Sequence, residues 1–270
     1  MTKLYPNTIE GLSWGLQNFD GIETDIRLGK DDLAVLHHDA FTNNGDKIEY
    51  MDEDDCHSQN IPLFHEFLAN EIVHQELSKG KTLWIEFKPN CNNRKPIKAE
   101  IADRLYQSFV DVVSKSNLPK SQIKVLSFAK ELLEPVRLAQ EYKPYPILPY
   151  VNECNNRGVI LKGLTRLLMK SLKSHIEDAE KKGYGGILFA RQYVVGPLAR
   201  RHPSYSKLLK MIENTDIELG SNLGAVELEK DFPNFHRFSD KLQKYPRISG
   251  NPKAQIVAHR GTGTKGVEIL

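Results

Sequence analysis

The chain has 270 residues, 40% of them apolar, which is enough for one large core, and its length admits either one α/β barrel or two smaller domains. Lysine and arginine number 37 against 35 aspartates and glutamates, so the formal charge of +2 offers no global field for nucleic acid or an anionic membrane surface, and any anion must be caught locally. The three cysteines (Cys56, Cys91 and Cys154) form no CxxC or disulfide framework, the N-terminus lacks an apolar signal core, and no apolar run approaches the roughly 20 residues that span a bilayer, so the expectation is a cytoplasmic protein with unpaired thiols.

Along the chain, short β-rich runs alternate with segments of helical period, the pattern of βα units around a parallel sheet. Thr8 can cap a helix carrying Ile9, Leu12, Trp14, Leu16 and Phe19. Residues 22–28 read as a strand, followed by a polar turn at Lys30-Asp31-Asp32, the apolar run Ala34-Val35-Leu36 and then His37-His38-Asp39. Residues 42–60 read as a loop rich in Asn, Asp and Glu, and Ile61-Pro62-Leu63 as the start of a helix bearing Leu63, Phe67, Leu68 and Ile72. Strands at 83–88, 123–128, 146–151 and 185–189 are interleaved with helices at 98–116, 130–142 and 164–182. Residues 216–219 and 225–228 are both strand candidates, but the few residues between them cannot hold a crossover helix. A helix at 235–243 and an apolar strand at 255–258 complete the pattern, without internal repeat or low-complexity linker, so residues 1–270 read as a single barrel domain.

Chemistry concentrates at strand ends. Side chains alternate along a strand, so Glu23 and Asp25 share one face while Ile22, Thr24 and Ile26 share the other. Two such acids are compatible with a solvated strand face or with the inward side of a barrel near its C-terminal end, where barrels keep their active sites. Glu86, inside the apolar run Trp84-Ile85-Glu86-Phe87, needs a partner. Either Lys88, on the same face, forms a buried ion pair with it, or Glu23, Asp25 and Glu86 meet as an oxygen-only site suited to Mg²⁺ or Ca²⁺ rather than zinc. Of nine histidines, His57, His74, His175 and His202 stand in no motif. His38 precedes Asp39 after an apolar strand, with His37 expected on the opposite side, and His259 follows Ile256-Val257-Ala258 and precedes Arg260-Gly261.

Joined tail to head, the ends give Ile256-Val257-Ala258-His259-Arg260-Gly261, then Tyr5-Pro6-Asn7-Thr8, a helix, Gly21-Ile22-Glu23-Thr24-Asp25-Ile26 and His38-Asp39. In that order the chain resembles the glycerophosphodiester phosphodiesterase family, whose opening is a strand ending in His-Arg-Gly, a Pro-Glu-Asn-Thr helix start, an Ile-Glu-x-Asp strand and a His-Asp pair. Weaker likenesses are Ile61-Pro62-Leu63-Phe64-His65-Glu66-Phe67-Leu68 and Val125-Leu126-Ser127-Phe128, while Pro6 replaces the Glu of the helix start and Asp32 the usual turn Gly. The resemblance implies an α/β fold, a TIM (β/α)8 barrel, with the first strand supplied by the C-terminal segment through a circular permutation. A fragment ending in a second repeat, or a tail strand swapped into a neighbouring molecule, are the competing origins. It further implies Glu23, Asp25 and Glu86 as ligands of a divalent metal ion (Mg²⁺ or Ca²⁺), His38 and His259 as general acid and base, and Arg260 and Lys88 on the phosphate. The implied reaction is hydrolysis of a small-molecule glycerophosphodiester to glycerol 3-phosphate and an alcohol, through attack of the substrate's own 2-hydroxyl and a cyclic phosphate that water then opens. Two alternatives stand beside it: a phospholipase D-like enzyme acting on lysophospholipids, and a catalytically silent barrel that binds a phosphorylated headgroup. No nucleic-acid partner and no integral membrane segment are expected, and the oligomeric state is open.

Overall fold

The computed structural model describes residues 2–90, 97–148, 171–189, 210, 214–222, 235–239, 255–263 and 265–269. Among the described residues, eight parallel strands form the barrel. In chain order they are β2 (Gly21–Leu28), β4 (Thr82–Phe87), β5 (Ile123–Ser127), β6 (Pro144–Pro146), β7 (Gly186–Phe189), β8 (Glu218–Asn222), β9 (Phe235–Ser239) and β10 (Ile256–Ala258). Their spatial order is β6-β5-β4-β2-β10-β9-β8-β7. The ring closes between β6 and β7, where the Gly185 amide donates to Pro144 O at 3.1 Å, Leu148 donates to Leu188 O at 2.7 Å, and Ile147 bridges Leu188 in parallel. The tail strand β10 is therefore a full barrel member, parallel to β2 on one side and β9 on the other. Two antiparallel pairs lie off the ring. β1 (Thr2–Leu4) pairs with β11 (Val267–Ile269), and β3 (Ala34–Leu36) pairs with the end of β2.

Alternation sorts the strands into two cores. Ile22, Ile26, Leu83, Ile85, Phe87, Ile123 and Val125 face outward into one large cluster. Against them pack α1 (Ile9–Asn18), α3 (Phe64–Ala69), α5 (Ala99–Ser116) and α6 (Lys130–Ala139), through Leu12, Phe64, Phe109 and Leu133 among others. Each such fully buried side chain contributes about 1.5–3 kcal/mol. The barrel interior holds a smaller cluster of Trp84, Leu126, Tyr145, Leu188, Phe238 and Val257. Thr8 caps α1 as expected, its side chain accepting from the Gly11 amide at 3.1 Å.

Several expectations need correction. Residues 235–243 were expected as a helix, but β9 fills the start of that range. His236 and Phe238 alternate with their neighbours, and both rings sit edge-on to Trp84 at centroid distances of 5.1 and 5.0 Å. The two crowded strand candidates resolve accordingly: β8 replaces 216–219, β9 is the last strand before the tail among the described residues, and 225–228 lies outside them. The loop at 42–60 contains α2 (Glu53–Ser58), a helix with one buried residue, Cys56, held by the reciprocal Asp52 and Asp55 capping bonds rather than by an apolar stripe. The helix after Leu63 breaks at Asn70, which ends α3 and caps α4 (Glu71–Ser78). α6 stops at Ala139 because Gln140 takes a left-handed cap with φ 58°. The strand expected at 146–151 begins earlier, at Pro144. The described part of the 164–182 helix is α7 (Leu172–Lys182), capped by an extended Ser171. Among the described residues no helix is long and apolar enough to cross a membrane.

Candidate active site

At the C-terminal end of the barrel, Asp25 on β2 stands in register with Glu86 on β4, and Glu23 lies two residues below Asp25 on the same inward face. All three are buried, and each offers an oxygen within 4.8 Å of the others'. Among the described residues, Glu23 Oε1 accepts no hydrogen bond, nor does Asp25 Oδ1, which faces Lys88 Nζ at 3.2 Å. Burial, then repulsion from Asp25, raises the Glu23 pKa, and burial lifts Glu86 to about 8 despite the Lys88 ammonium. Asp25 goes the other way. Burial would raise it, but Lys88, Arg260, His38 and the Asn7 amide outweigh that effect and hold it well below the usual carboxylate range. Three buried carboxylates facing the two fixed cations Lys88 and Arg260, with orphaned oxygens between them, fit a hard divalent cation.

The His-Arg-Gly turn after β10 reaches this cluster. His259 Nε2 lies 3.6 Å from Glu23 Oε2, the Arg260 amide donates to the same oxygen at 3.1 Å, and Arg260 Nε faces Asp25 Oδ2 at 3.2 Å. The turn is possible because Arg260 and Gly261 both take positive φ, 50° and 74°. A Cβ on Gly261 would stand 2.6 Å from Gly11 O, and one on Gly15 of α1 equally close to Gly261 O, so the turn and the helix touch backbone to backbone. His38 Nδ1 lies 2.9 Å from Asp39 Oδ1, which orients the ring, and His38 lines one groove with Arg260. Burial, reinforced by Lys88, lowers the His38 pKa to about 4 and keeps the imidazole neutral near pH 7.

Residues 1–159 match the Glycerophosphoryl diester phosphodiesterase family. The chain belongs to that family. It is therefore a phosphodiesterase, and divalent-metal use is general in the family. No curated protein matches the chain. Solved structures match in fold. A glycerophosphoryl diester phosphodiesterase described as putative, from Silicibacter pomeroyi, is 11% identical at a TM-score of 0.60, covering 95% of this chain and 86% of its own. An Oleispira antarctica phosphodiesterase in complex with the product sn-glycerol-3-phosphate is 16% identical at 0.57, covering 83% of each chain. A glycerophosphodiester phosphodiesterase from Thermotoga maritima is 16% identical at 0.55, covering 86% and 87%.

The structure brings together all seven residues singled out in the sequence, and it shows that the two readings of Lys88 are not exclusive. Its ammonium lies 2.6 Å from Glu86 Oε1, so the ion pair and the carboxylate cluster are one assembly. His37 departs from expectation: β3 ends at Leu36, strand alternation ceases, and His37 lines the same groove as His38 while its Nδ1 lies 2.7 Å from Asp39 O.

Two supporting residues of this phosphodiesterase were missed. In the sequence Asn7 is only one position of the helix-start motif. It takes φ 56°, donates to Asp25 Oδ2 at 2.9 Å, accepts from the Thr24 hydroxyl at 2.9 Å, and its amide donates to Arg260 O at 3.1 Å. Arg27, buried on the inward face of β2, donates from Nε to His38 O at 3.0 Å and from its terminal nitrogens to His38 O and Pro89 O. One guanidinium thus ties the His38 loop to the segment after Lys88. The period-two pattern already placed Arg27 with Glu23 and Asp25, which was the available signal.

Proposed function

We propose that this phosphodiesterase hydrolyses glycerophosphodiesters to glycerol 3-phosphate and an alcohol, with Glu23, Asp25 and Glu86 holding Mg²⁺ or Ca²⁺. The observation carrying the reading is the convergence of these three carboxylates with His38, His259 and Arg260 at one barrel mouth, on segments from opposite ends of the chain. When bound there, the cation would neutralise phosphoryl charge and lower the pKa of the neighbouring glycerol hydroxyl. Arg260, fixed by Asp25, and Lys88 supply permanent positive charge to the phosphate. One imidazole takes the proton of the attacking 2-hydroxyl and the other gives one to the departing alkoxide, and the same pair returns to its starting state when water opens the cyclic phosphate. Asn7 and Arg27 act through others, the first by fixing Asp25 and the Arg260 turn, the second by fixing the His38 backbone.

The same reading takes residues 1–270 as one circularly permuted barrel in a cytoplasmic setting. The position of β10 between β9 and β2 and the β1 to β11 ribbon support the permutation. The buried, free thiol of Cys56 supports a reducing compartment, while Cys91 and Cys154 lie outside the described residues. The test is turnover of glycerophosphodiesters beside a lysophospholipid, with and without chelator, by the parent and by a chain in which residues 255–270 precede residue 2. Metal-dependent release of glycerol 3-phosphate by both chains is expected. Cleavage of the lysophospholipid alone would transfer the reading to lipid substrates, and no turnover of any substrate would favour a silent barrel.

A further inference from the structure

Two segments that carry site residues are joined a second time outside the barrel. One runs from β1 through Tyr5 and Pro6 to Asn7, the other from Arg260 through Gly263 and Gly266 to β11. β1 and β11 pair antiparallel, Thr2 opposite Ile269, Lys3 opposite Glu268 and Leu4 opposite Val267. Nearer the mouth the Asn7 amide donates to Arg260 O at 3.1 Å. Asn7 and Arg260 also share a target, Asp25 Oδ2, which they approach to 2.9 and 3.2 Å.

Both residues take left-handed backbone, at φ 56° and 50°. That conformation is costly for an arginine and persists only where the surroundings hold it. Against α1 the contact is backbone to backbone, since a Cβ on Gly11 would collide with Tyr5 O and one on Gly15 with Gly261 O. The Arg260 amide and Nε reach Glu23 and Asp25, which are themselves proposed to hold the cation. The Asn7 bond and the ribbon are thus restraints on the turn that do not depend on those carboxylates. The ribbon is the weaker element of the fold. Its strands are three residues each, Lys3 and Glu268 are exposed, and Leu4 and Val267 are half-buried. A two-stranded ribbon standing off the core is marginally stable in water, so it opens without unfolding the barrel.

Resting on the hydrolase reading above, we propose that the β1–β11 ribbon is a latch on the catalytic mouth. Paired, it holds the Asn7 and Arg260 segments side by side and keeps the Arg260 guanidinium at Asp25. Open, it lets the turn relax from its left-handed backbone and withdraws that charge from the phosphate.

The test uses Leu4→Gly/Val267→Gly, which removes the apolar cross-strand pair, and the same variant carrying Lys3→Cys/Glu268→Cys, at positions that face each other in register and so lie within disulfide reach. The glycine variant should lose about ten-fold in kcat/KM with little change in melting temperature. Oxidation of the cysteine-bearing variant should restore the parental value to within about two-fold, and reduction should remove the gain. Parental kcat/KM in the glycine variant, or a bridge that forms without restoring turnover, overturns the latch. Amide hydrogen exchange gives a readout that needs no turnover. In the parent the Asn7 amide should exchange at least about ten-fold faster than those of residues 22–26, and a Lys3→Cys/Glu268→Cys bridge in the otherwise unchanged chain should slow it by a similar factor. Asn7 exchange as slow as that of β2, with or without the bridge, overturns the latch. The expected exchange in a parent that turns over no glycerophosphodiester overturns the hydrolase reading and leaves the latch standing.

Discussion

The barrel holds two buried polar clusters, and they are built on opposite terms. At its N-terminal end, Glu218 of β8 lies within reach of Lys124 Nζ, accepts from the Tyr145 hydroxyl at 3.0 Å, and lies 3.1 Å from His236 Nε2, while the Lys124 ammonium sits 4.5 Å from the Trp84 ring centroid. There a single carboxylate is matched by a lysine and two further donors, and only His236 Nδ1 is left over. Although burial opposes it, the His236 and Lys124 contacts hold the Glu218 pKa down to about 2. At the mouth, three carboxylates face two fixed cations and two of their oxygens are unsatisfied. Satisfied polar groups give rigidity, and unsatisfied ones store binding potential. The same fold thus carries a structural cluster below and a reactive one above, separated by Trp84 and Glu86, two residues apart on β4.

If that contrast is right, the largest effect comes from removing a mouth carboxylate. Glu23→Gln should lower kcat/KM on the order of 10³-fold with little change in melting temperature, and chelation of the parent should do the same until Mg²⁺ or Ca²⁺ is returned. Full activity of the chelated parent would contradict the cation reading. Next, His38→Ala should cost roughly 10²-fold in rate, while His37→Ala, whose ring lies against the Asp39 carbonyl, should stay within a few fold. Equal losses would show that position in the motif does not set the role.

The lower cluster should respond the other way. Lys124→Met leaves Glu218 with two donors and removes the ammonium over Trp84, so it should destabilise the fold by about 1–3 kcal/mol, measured by chemical denaturation, with kcat unchanged at temperatures where the variant is folded. A variant of parental stability would mean that this pair breaks even, as many buried ion pairs do.

The two clusters also differ in how legible they were. Glu23, Asp25, Glu86 and Lys88 lie two apart on their strands, so alternation alone put each pair on one face, and the His-Arg-Gly and His-Asp motifs brought in His259, Arg260 and His38. The lower cluster comes from Lys124, Tyr145, Glu218 and His236, single residues on four strands, and only the closed ring makes them neighbours. β9 is not legible as a strand because five residues that include His236 and Arg237 have too few apolar positions to show its period. α2 leaves no helical period in the sequence because capping, not amphipathicity, sustains it. The left-handed backbone at Arg260, in the turn that packs on α1, leaves no mark in residue type, whereas asparagine at position 7 is a residue type enriched in that conformation.

The smallest effect, and the one that separates the clusters by sign, is in the pH dependence of stability. Glu86, lifted to about 8 chiefly by burial, keeps its proton in the folded state at pH values where the unfolded chain has lost it, so its contribution is full below about 4.5 and is lost as pH rises through 8. His38, lowered to about 4 chiefly by burial, contributes above 6.5 and loses that contribution as pH falls through 4, and Glu218 contributes above 4.5 and is lost toward 2. The lower cluster therefore weakens only in acid, and between pH 6.5 and 8 Glu86 is the group among these three that titrates. In that window the melting temperature of the metal-free protein should fall by about a few degrees. Saturating Mg²⁺ or Ca²⁺ should remove the slope, because a cation displaces the Glu86 proton and is held more tightly as pH rises. Glu86→Gln should flatten the metal-free curve in the same way. A slope that survives both the cation and the substitution would place the titrating group outside the carboxylate cluster.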